Sequence, residues 1–428
     1  MKKFLMFPML LMGVGAFAQV GINTTTPNAQ LEVKSSNEAT PANTDGIIIP
    51  KINTFPVVNP TAAQQGMMVY LTTTVGTRAP GFYYWDNNTT TWIGVGSNNA
   101  NAWGLTGNDG TTPGNNFMGT SDDKDLVFKR NNVLAGKLQI SNTSYGLNSF
   151  FSNTTGSFNA SHGVFSLFSN TTGQQNAGFG AYSLWSNTVG SNNAAFGTNA
   201  MLSNTTGIEN TALGAASLYS NTSGNYNTAG GFNSLFANTT GQQNAGFGAY
   251  SLWSNTTGSN NAAFGTNAML SNTTGIHNTA LGVASLYANT TGNFNTAGGL
   301  NSLFTNTTGN QNAGFGAYSL RSNTTGSNNA AFGTSAMLSN TSGNNNTALG
   351  AASLQGNTTG NFNTAGGINS LFTNTVGVEN TALGAASLQS NTSGNYNTGI
   401  GTKAIFSNTT GNQNAGFGAY SLTNNTLG

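Results

Sequence analysis

The chain has 428 residues, of which 37% are hydrophobic and 5% charged, with 58 glycines, no cysteine and a formal net charge of +1. Without cysteine there is no disulfide, no thiolate metal site and no lipid-modified N-terminal cysteine. Near-neutrality removes the basic footprint that nucleic acid or an acidic membrane surface requires.

The first eighteen residues, MKKFLMFPMLLMGVGAFA, combine Lys2 and Lys3, an apolar run and an Ala16-x-Ala18 end. That order predicts a cleaved secretory signal at 1–18 and a mature chain from Gln19. The run is short for a transmembrane anchor, and no later stretch approaches the roughly 20 apolar residues a spanning helix needs, so direct membrane insertion is not expected.

Residues 19–139 hold most of the charge and read as a small β-rich head. Strand-like runs (AQLEV, GIIIP, GMMVYL, DLVFKR) alternate with Pro, Gly and Asn turns. The stretch GFYYWDNNTTTWIGVG predicts a hairpin with aromatics such as Tyr84 and Trp92 facing across strands. Packing is the expected use of those rings, and a carbohydrate platform is the alternative. Looser connections are expected at 35–45 and 97–120.

From residue 140 the sequence becomes periodic. Glycines recur every seventeen residues from Gly156 to Gly428, giving sixteen full units over 157–428 and a degenerate one at 140–156. With each unit numbered 1 to 17, Asn at 3, Gly at 7, Asn at 14, Thr at 15 and Gly at 17 never vary across the full units. A strict period with apolar residues at fixed places is the mark of stacked repeats, not of disorder.

Seventeen residues with two fixed glycines are too few for two helices. They predict one strand near Asn244–Phe247, a bend at Gly248, a second strand near Tyr250–Trp253 and a turn at NTTG. The fold class expected is therefore all-β: a parallel β-solenoid (β-roll) of 17-residue rungs over 140–428, on the order of 80 Å long at about 4.8 Å per rung. Phe247 and Leu252 with their equivalents are expected to form the core stripe. Small residues at 5 and 10 would admit a closely approaching body, another copy of the chain being one candidate. Asn210, Gly214, Asn221, Gly224, Asn278 and Gly282 exemplify the turn and ladder positions, where stacked amides and plain turn chemistry are both open.

The units also follow a superperiod of four rungs, in blocks 174–241, 242–309 and 310–377. Near-identical blocks suit a spacer or display surface, whereas an enzyme needs one irreplaceable pocket. The repeats carry only Glu209, Arg321, Glu379 and Lys403 as charged residues, too dispersed for paired-carboxylate hydrolysis. Glu379 and Lys403 read as a surface pair. No repeat holds the aspartate of a calcium-binding roll, and Asp122, Asp123 and Asp125 read as a solvated loop sooner than a cation site. GFGAYS lacks the lysine and helix of a phosphate loop. No catalytic, cofactor or metal site is expected.

Position 12 carries the most functional signal, because it runs Phe168, Trp185, Leu202, Tyr219, Phe236, Trp253, Leu270, Tyr287, Phe304 and then tolerates Arg321, Gln355 and Thr423. Trp185, Tyr219, Phe236, Trp253, Tyr287 and Phe304 are the candidate adhesive stripe. Burial in a chain-to-chain interface is the equal alternative.

Rungs of the form NTALGAASLxxNTxG, with NTALG at 210–214 and 278–282, resemble the head repeats of YadA-like trimeric autotransporter adhesins. The N-terminal VGINTTTPNAQLEV and GFYYWDNNTTTWIGVG look like secreted and phage tail-fibre-like proteins of Bacteroidota. The first resemblance covers 140–428 and implies a left-handed roll made by three chains, hence a homotrimer on a Gram-negative cell surface or secreted from it. The 17-residue rung is longer than the usual one of that family. The expected function is an exported, non-enzymatic structural adhesin or fibre. The alternative is an ice-binding solenoid using the threonine row Thr188, Thr205, Thr222 and Thr239.

Overall fold

A computed structural model describes residues 19–95, 112 and 117–427. The expected signal segment and most of the connection at 97–120 lie outside the described residues. Two compact units divide the chain, 1–118 and 119–428.

In the first unit, β1 (Val20–Ile22) pairs in parallel with β2 (Leu31–Val33). A separate four-stranded sheet is built from β3 (Lys51–Ile52), β4 (Met68–Leu71), β5 (Gly81–Asp86) and β6 (Thr91–Gly94), with a 3-10 turn at Ala62–Gln64 between β3 and β4. The run GIIIP forms no strand. Alternation along β5 turns Tyr83 and Trp85 inward with Val69, Leu71 and Trp92. The hairpin forms as expected, but its register places Trp92 opposite Trp85 and Tyr84 opposite Ile93. The two tryptophan rings meet edge-on at 5.7 Å, so they are packing rings. The turn after β5 is held by the Asp86 carboxylate, which accepts from Thr89 Oγ1 at 2.7 Å and Gln65 Nε2 at 3.0 Å. The Thr89 hydroxyl, then Gln65, hold that carboxyl below its ordinary value.

The second unit begins with an antiparallel hairpin, β7 (Leu126–Arg130) and β8 (Val133–Leu138), whose second strand pairs antiparallel with β9 (Thr143–Tyr145). From β9 onward every strand is parallel to the next, through β10 (Ala160–His162) and each successive rung to β25 (Ala415–Phe417). Each rung contributes three strand residues, positions 4 to 6, in the register i to i+17. The result is the expected parallel β-solenoid of 17-residue rungs, with the hairpin closing the edge of β9 that a bare stack would leave unpaired.

The interior departs from expectation in three ways. Leu252 is fully buried, but Phe247 is 38% exposed. The strand alternates, so positions 3 and 5 point in and position 6 points out, and the coil is too thin for more than one large side chain per rung. The small residues at 5 and 10 do not line a surface for another chain: Ala195, Ala212, Ser183 and Ser217 are wholly buried within the single coil. It is the coil's own two legs that approach, since Ser166 Oγ donates to Gly178 O at 2.9 Å.

The second leg, finally, is not a β-strand. Tyr250 and Leu252 have φ of 58° and 51°, the left-handed region that bulky residues seldom enter. The leg is nonetheless bonded to its neighbours, with Tyr250 N–H donating to Phe232 O at 3.0 Å and Leu252 N–H to Ala268 O at 3.0 Å. Backbone bonding to both adjacent rungs, together with insertion of the leucine into the core, fixes a conformation that an isolated residue would avoid.

Candidate functional site

The fixed polar positions of each rung form two continuous ladders of buried amides. Asn210 Nδ2 donates to Asn193 Oδ1 at 3.1 Å and to Gly224 O at 2.8 Å, while its backbone N–H donates to the same Asn193 oxygen at 3.0 Å. Asn221 Nδ2 donates to Asn204 Oδ1 at 2.8 Å and also to Gly224 O at 3.0 Å. One glycine carbonyl thus ties both ladders together. Asn278 repeats the pattern toward Asn261 and Gly292. Along the ladders each buried amide donates to a neighbouring rung or to its own turn, and among the described residues only at Asn408, near the end of the stack, is an amide oxygen without a partner; pairing is the condition for such burial to stabilise the coil.

The glycines are fixed by close approach. Gly214 has φ of +139° and a Cβ there would stand 2.6 Å from Gly231 O; Gly282 has φ of +134°, with Gly299 C 2.8 Å from the same point. At Gly224 a Cβ would meet the Asn221 amide oxygen, Gly241 O, and Asn238 Nδ2 at 2.8 Å. No other residue fits these positions.

The position-12 residues lie on the outer side of the second leg. Their rings stack in short runs: Phe168 on Trp185 at 6.5 Å, Tyr219 on Phe236 at 4.9 Å, Phe236 on Trp253 at 6.2 Å and Tyr287 on Phe304 at 4.9 Å. Trp185 and Trp253 are exposed; Tyr219, Phe236, Tyr287 and Phe304 are half-buried. Stacked faces leave mainly ring edges to the outside, and Leu202 and Leu270 interrupt the runs. In the third block Arg321 takes the tryptophan's place, its guanidinium 5.9 Å from the Phe304 and Tyr318 centroids. A shallow groove of about 350 Å³ opens beyond it, lined by Leu338, Gln355, Gly356 and Phe372.

The structure does not pair Glu379 with Lys403. The Lys403 ammonium lies instead over Phe406 and Tyr420, at 5.6 and 5.9 Å. Asp125 is engaged by Lys137 Nζ at 2.7 Å and Gln139 Nε2 at 3.2 Å. Among the described residues no group of three or more metal-ligating side chains comes together, and no helix is long and apolar enough to cross a membrane. Sequence reasoning missed the outward row at position 6, whose signal was there in the alternation of the strand.

A solenoid of near-identical rungs stacked in one register describes a structural, fibre-like protein. Residues 21–109 match the family model described as a phage tail like trimerisation region, which supports a homotrimer and fits a phage-tail-fibre-like protein. No curated protein and no solved structure matches the chain. Within the matched segment, Ile47, Ile48, Ile49, Lys51, Tyr70 and Phe82 line an apolar groove of about 300 Å³ on the head.

Proposed function

We propose that the protein is an exported, non-enzymatic adhesin or fibre of a Gram-negative bacterium, assembled as a homotrimer, in which the solenoid is both spacer and binding surface. The observation that supports this best is the row of rings at position 12, with Trp185 and Trp253 exposed and the other four half-buried, on a scaffold whose polar groups are consumed by its own ladders. The likeness of its rungs to YadA-like heads points to the same role. Trp185, Tyr219, Phe236, Trp253, Tyr287 and Phe304 would supply apolar contact area to a glycan or protein surface. The ice-binding alternative loses ground, because the row it needs is spent internally: Thr188 Oγ1 donates to Thr205 O at 3.1 Å and Thr205 Oγ1 to Thr222 O at 3.0 Å.

The test is a triple variant, Trp185→Ser, Tyr219→Ser and Trp253→Ser, compared with the parent for binding to a glycan array and to intact bacterial cells. Reduced binding with unchanged assembly is expected. Loss of assembly would instead assign the stripe to a chain contact.

A further inference from the structure

Position 2, at the corner between the NTTG turn and the strand, takes no part in the ladders, the core or the position-12 stripe. In every full rung its residue is exposed and has a positive φ. Asparagine and glycine reach that region cheaply, whereas an aromatic residue does not. Yet Phe158, Tyr226, Phe294, Phe362 and Tyr396 stand there with φ of 56° to 59° and with 49% to 68% of their surface exposed. Among the described residues only Phe294 of these five stacks on another ring, that of His277 at 4.9 Å. Packing therefore does not account for them, and a backbone cost borne by exposed rings points to a surface used for contact.

The first four rings recur every four rungs, and Tyr396 follows Phe362 after two. At about 4.8 Å per rung their separations are about 19 Å and about 10 Å. Between the rings stand pairs of amides, Gln175 with Asn192, Gln243 with Asn260 and Gln311 with Asn328. Among the described residues these six side chains have no hydrogen-bond partner in the chain, whereas the amides at positions 3 and 14 are spent in the ladders. Rings so far apart do not form the contiguous apolar centre that a protein partner buries. The column also has no lysine or arginine to attract a phosphate or an acidic membrane.

We propose that the position-2 corner binds an extended, uncharged β-1,4-linked polysaccharide running along the rod. Such a chain is a straight ribbon with apolar C–H faces and a rim of hydroxyls, so the rings take the faces and the free amides take the hydroxyls. Its two-sugar repeat is close in length to two rungs, which brings an equivalent sugar to each ring across an interval of two rungs or of four. One ring alone holds little, and a chain that spans several is held by all of them at once. The inference rests on the reading of the rod as a binding surface, through a column that the NTTG turn separates from the position-12 stripe, and it needs no particular oligomeric state.

The test uses the chain from Gln19 onward and a biosensor coated with glucomannan, a soluble, uncharged β-1,4-linked polymer. Binding is expected to glucomannan and not to dextran, whose α-1,6 links give no straight ribbon. Cellohexaose should compete at least about tenfold better than cellobiose, because it alone reaches from one ring to the next. Tyr226→Asn, Phe294→Asn and Phe362→Asn are then combined; Asn already occupies this corner at Asn192, Asn260 and Asn328, so the fold is kept. The triple variant should lose at least about tenfold in affinity, with a melting temperature no lower than the parent's and the same mass by light scattering. No binding of glucomannan by the parent, equal binding of dextran, or undiminished binding by the variant would overturn the proposal. A lower melting temperature or a changed mass would overturn it as well, by giving the rings to packing or to a chain contact. If glucomannan binding is lost in the position-12 variant and kept in this one, the corner assignment fails and the adhesive reading of the stripe stands.

Discussion

Asn210 Nδ2 and Asn193 Oδ1 stand 3.1 Å apart across one rung, and that single relation, repeated along the solenoid, holds a coil whose apolar core is one side chain wide. Replacing Asn210 by Ala leaves the Asn193 oxygen only the backbone N–H of residue 210, removes one of the two amides at Gly224 O and takes from Asn227 the Asn210 oxygen to which its backbone N–H and its amide donate. A cost of about 1–3 kcal/mol is expected. Stability in a stack is roughly a sum over rungs and their neighbours, so hydrogen exchange should rise in the rungs flanking 210 and stay unchanged several rungs away.

Gly248 and Gly418 separate two effects that usually travel together. Both have positive φ, +128° and +105°, but a Cβ on Gly248 would stand 2.6 Å from Gly265 C, whereas one on Gly418 meets nothing within 4 Å. Gly418→Ala should cost about 1–3 kcal/mol from backbone strain alone. Gly248→Ala should cost more, read as a lower denaturation midpoint and faster local exchange.

Deleting residues 242–309 removes one four-rung block and joins Gly241 to Asn310, restoring the same register. The variant should fold with the same circular dichroism per residue, and the rod should shorten by about 19 Å at about 4.8 Å per rung, measurable by small-angle scattering. An altered dichroism signal would show that the blocks are not interchangeable.

The hairpin that covers β9 is tied by Lys137 Nζ to Asp125 at 2.7 Å. The hydrogen bond from Lys137 is the main reason that the Asp125 carboxyl titrates below its ordinary value of 3.8. The pair's contribution is therefore present above that value and is lost as the pH falls through the lower folded one. Both groups are partly exposed, so the loss should be under about 1 kcal/mol. Exchange in 126–138, corrected for its intrinsic pH dependence, should rise in acid, and Lys137→Met should abolish that rise.

Much of this architecture was legible in the residues. The invariant Asn, Gly and Thr positions specified the period, the strand at Asn244–Phe247 and the bend at Gly248. Phe247 was misplaced because apolarity at a fixed place in a repeat does not tell an inner face from an outer one when both are apolar. The alternation across a three-residue strand settles it, with Asn244 and Gly246 inward and Phe247 outward. The second leg was unreadable for a different reason. Left-handed φ is ordinarily signalled by Gly or Asn, whereas here Tyr250 and Leu252 adopt it under the constraint of both neighbouring rungs. The position-12 stripe was visible from its tolerance of Arg321, Gln355 and Thr423, which only an outward place allows.

The trimeric fibre is tested most directly by the mass in solution of residues 19–428, determined by light scattering with dichroism to confirm β structure. A mass three times that of the chain is predicted. A folded monomer would contradict the account, leaving a self-sufficient solenoid with both of its apolar faces open to water.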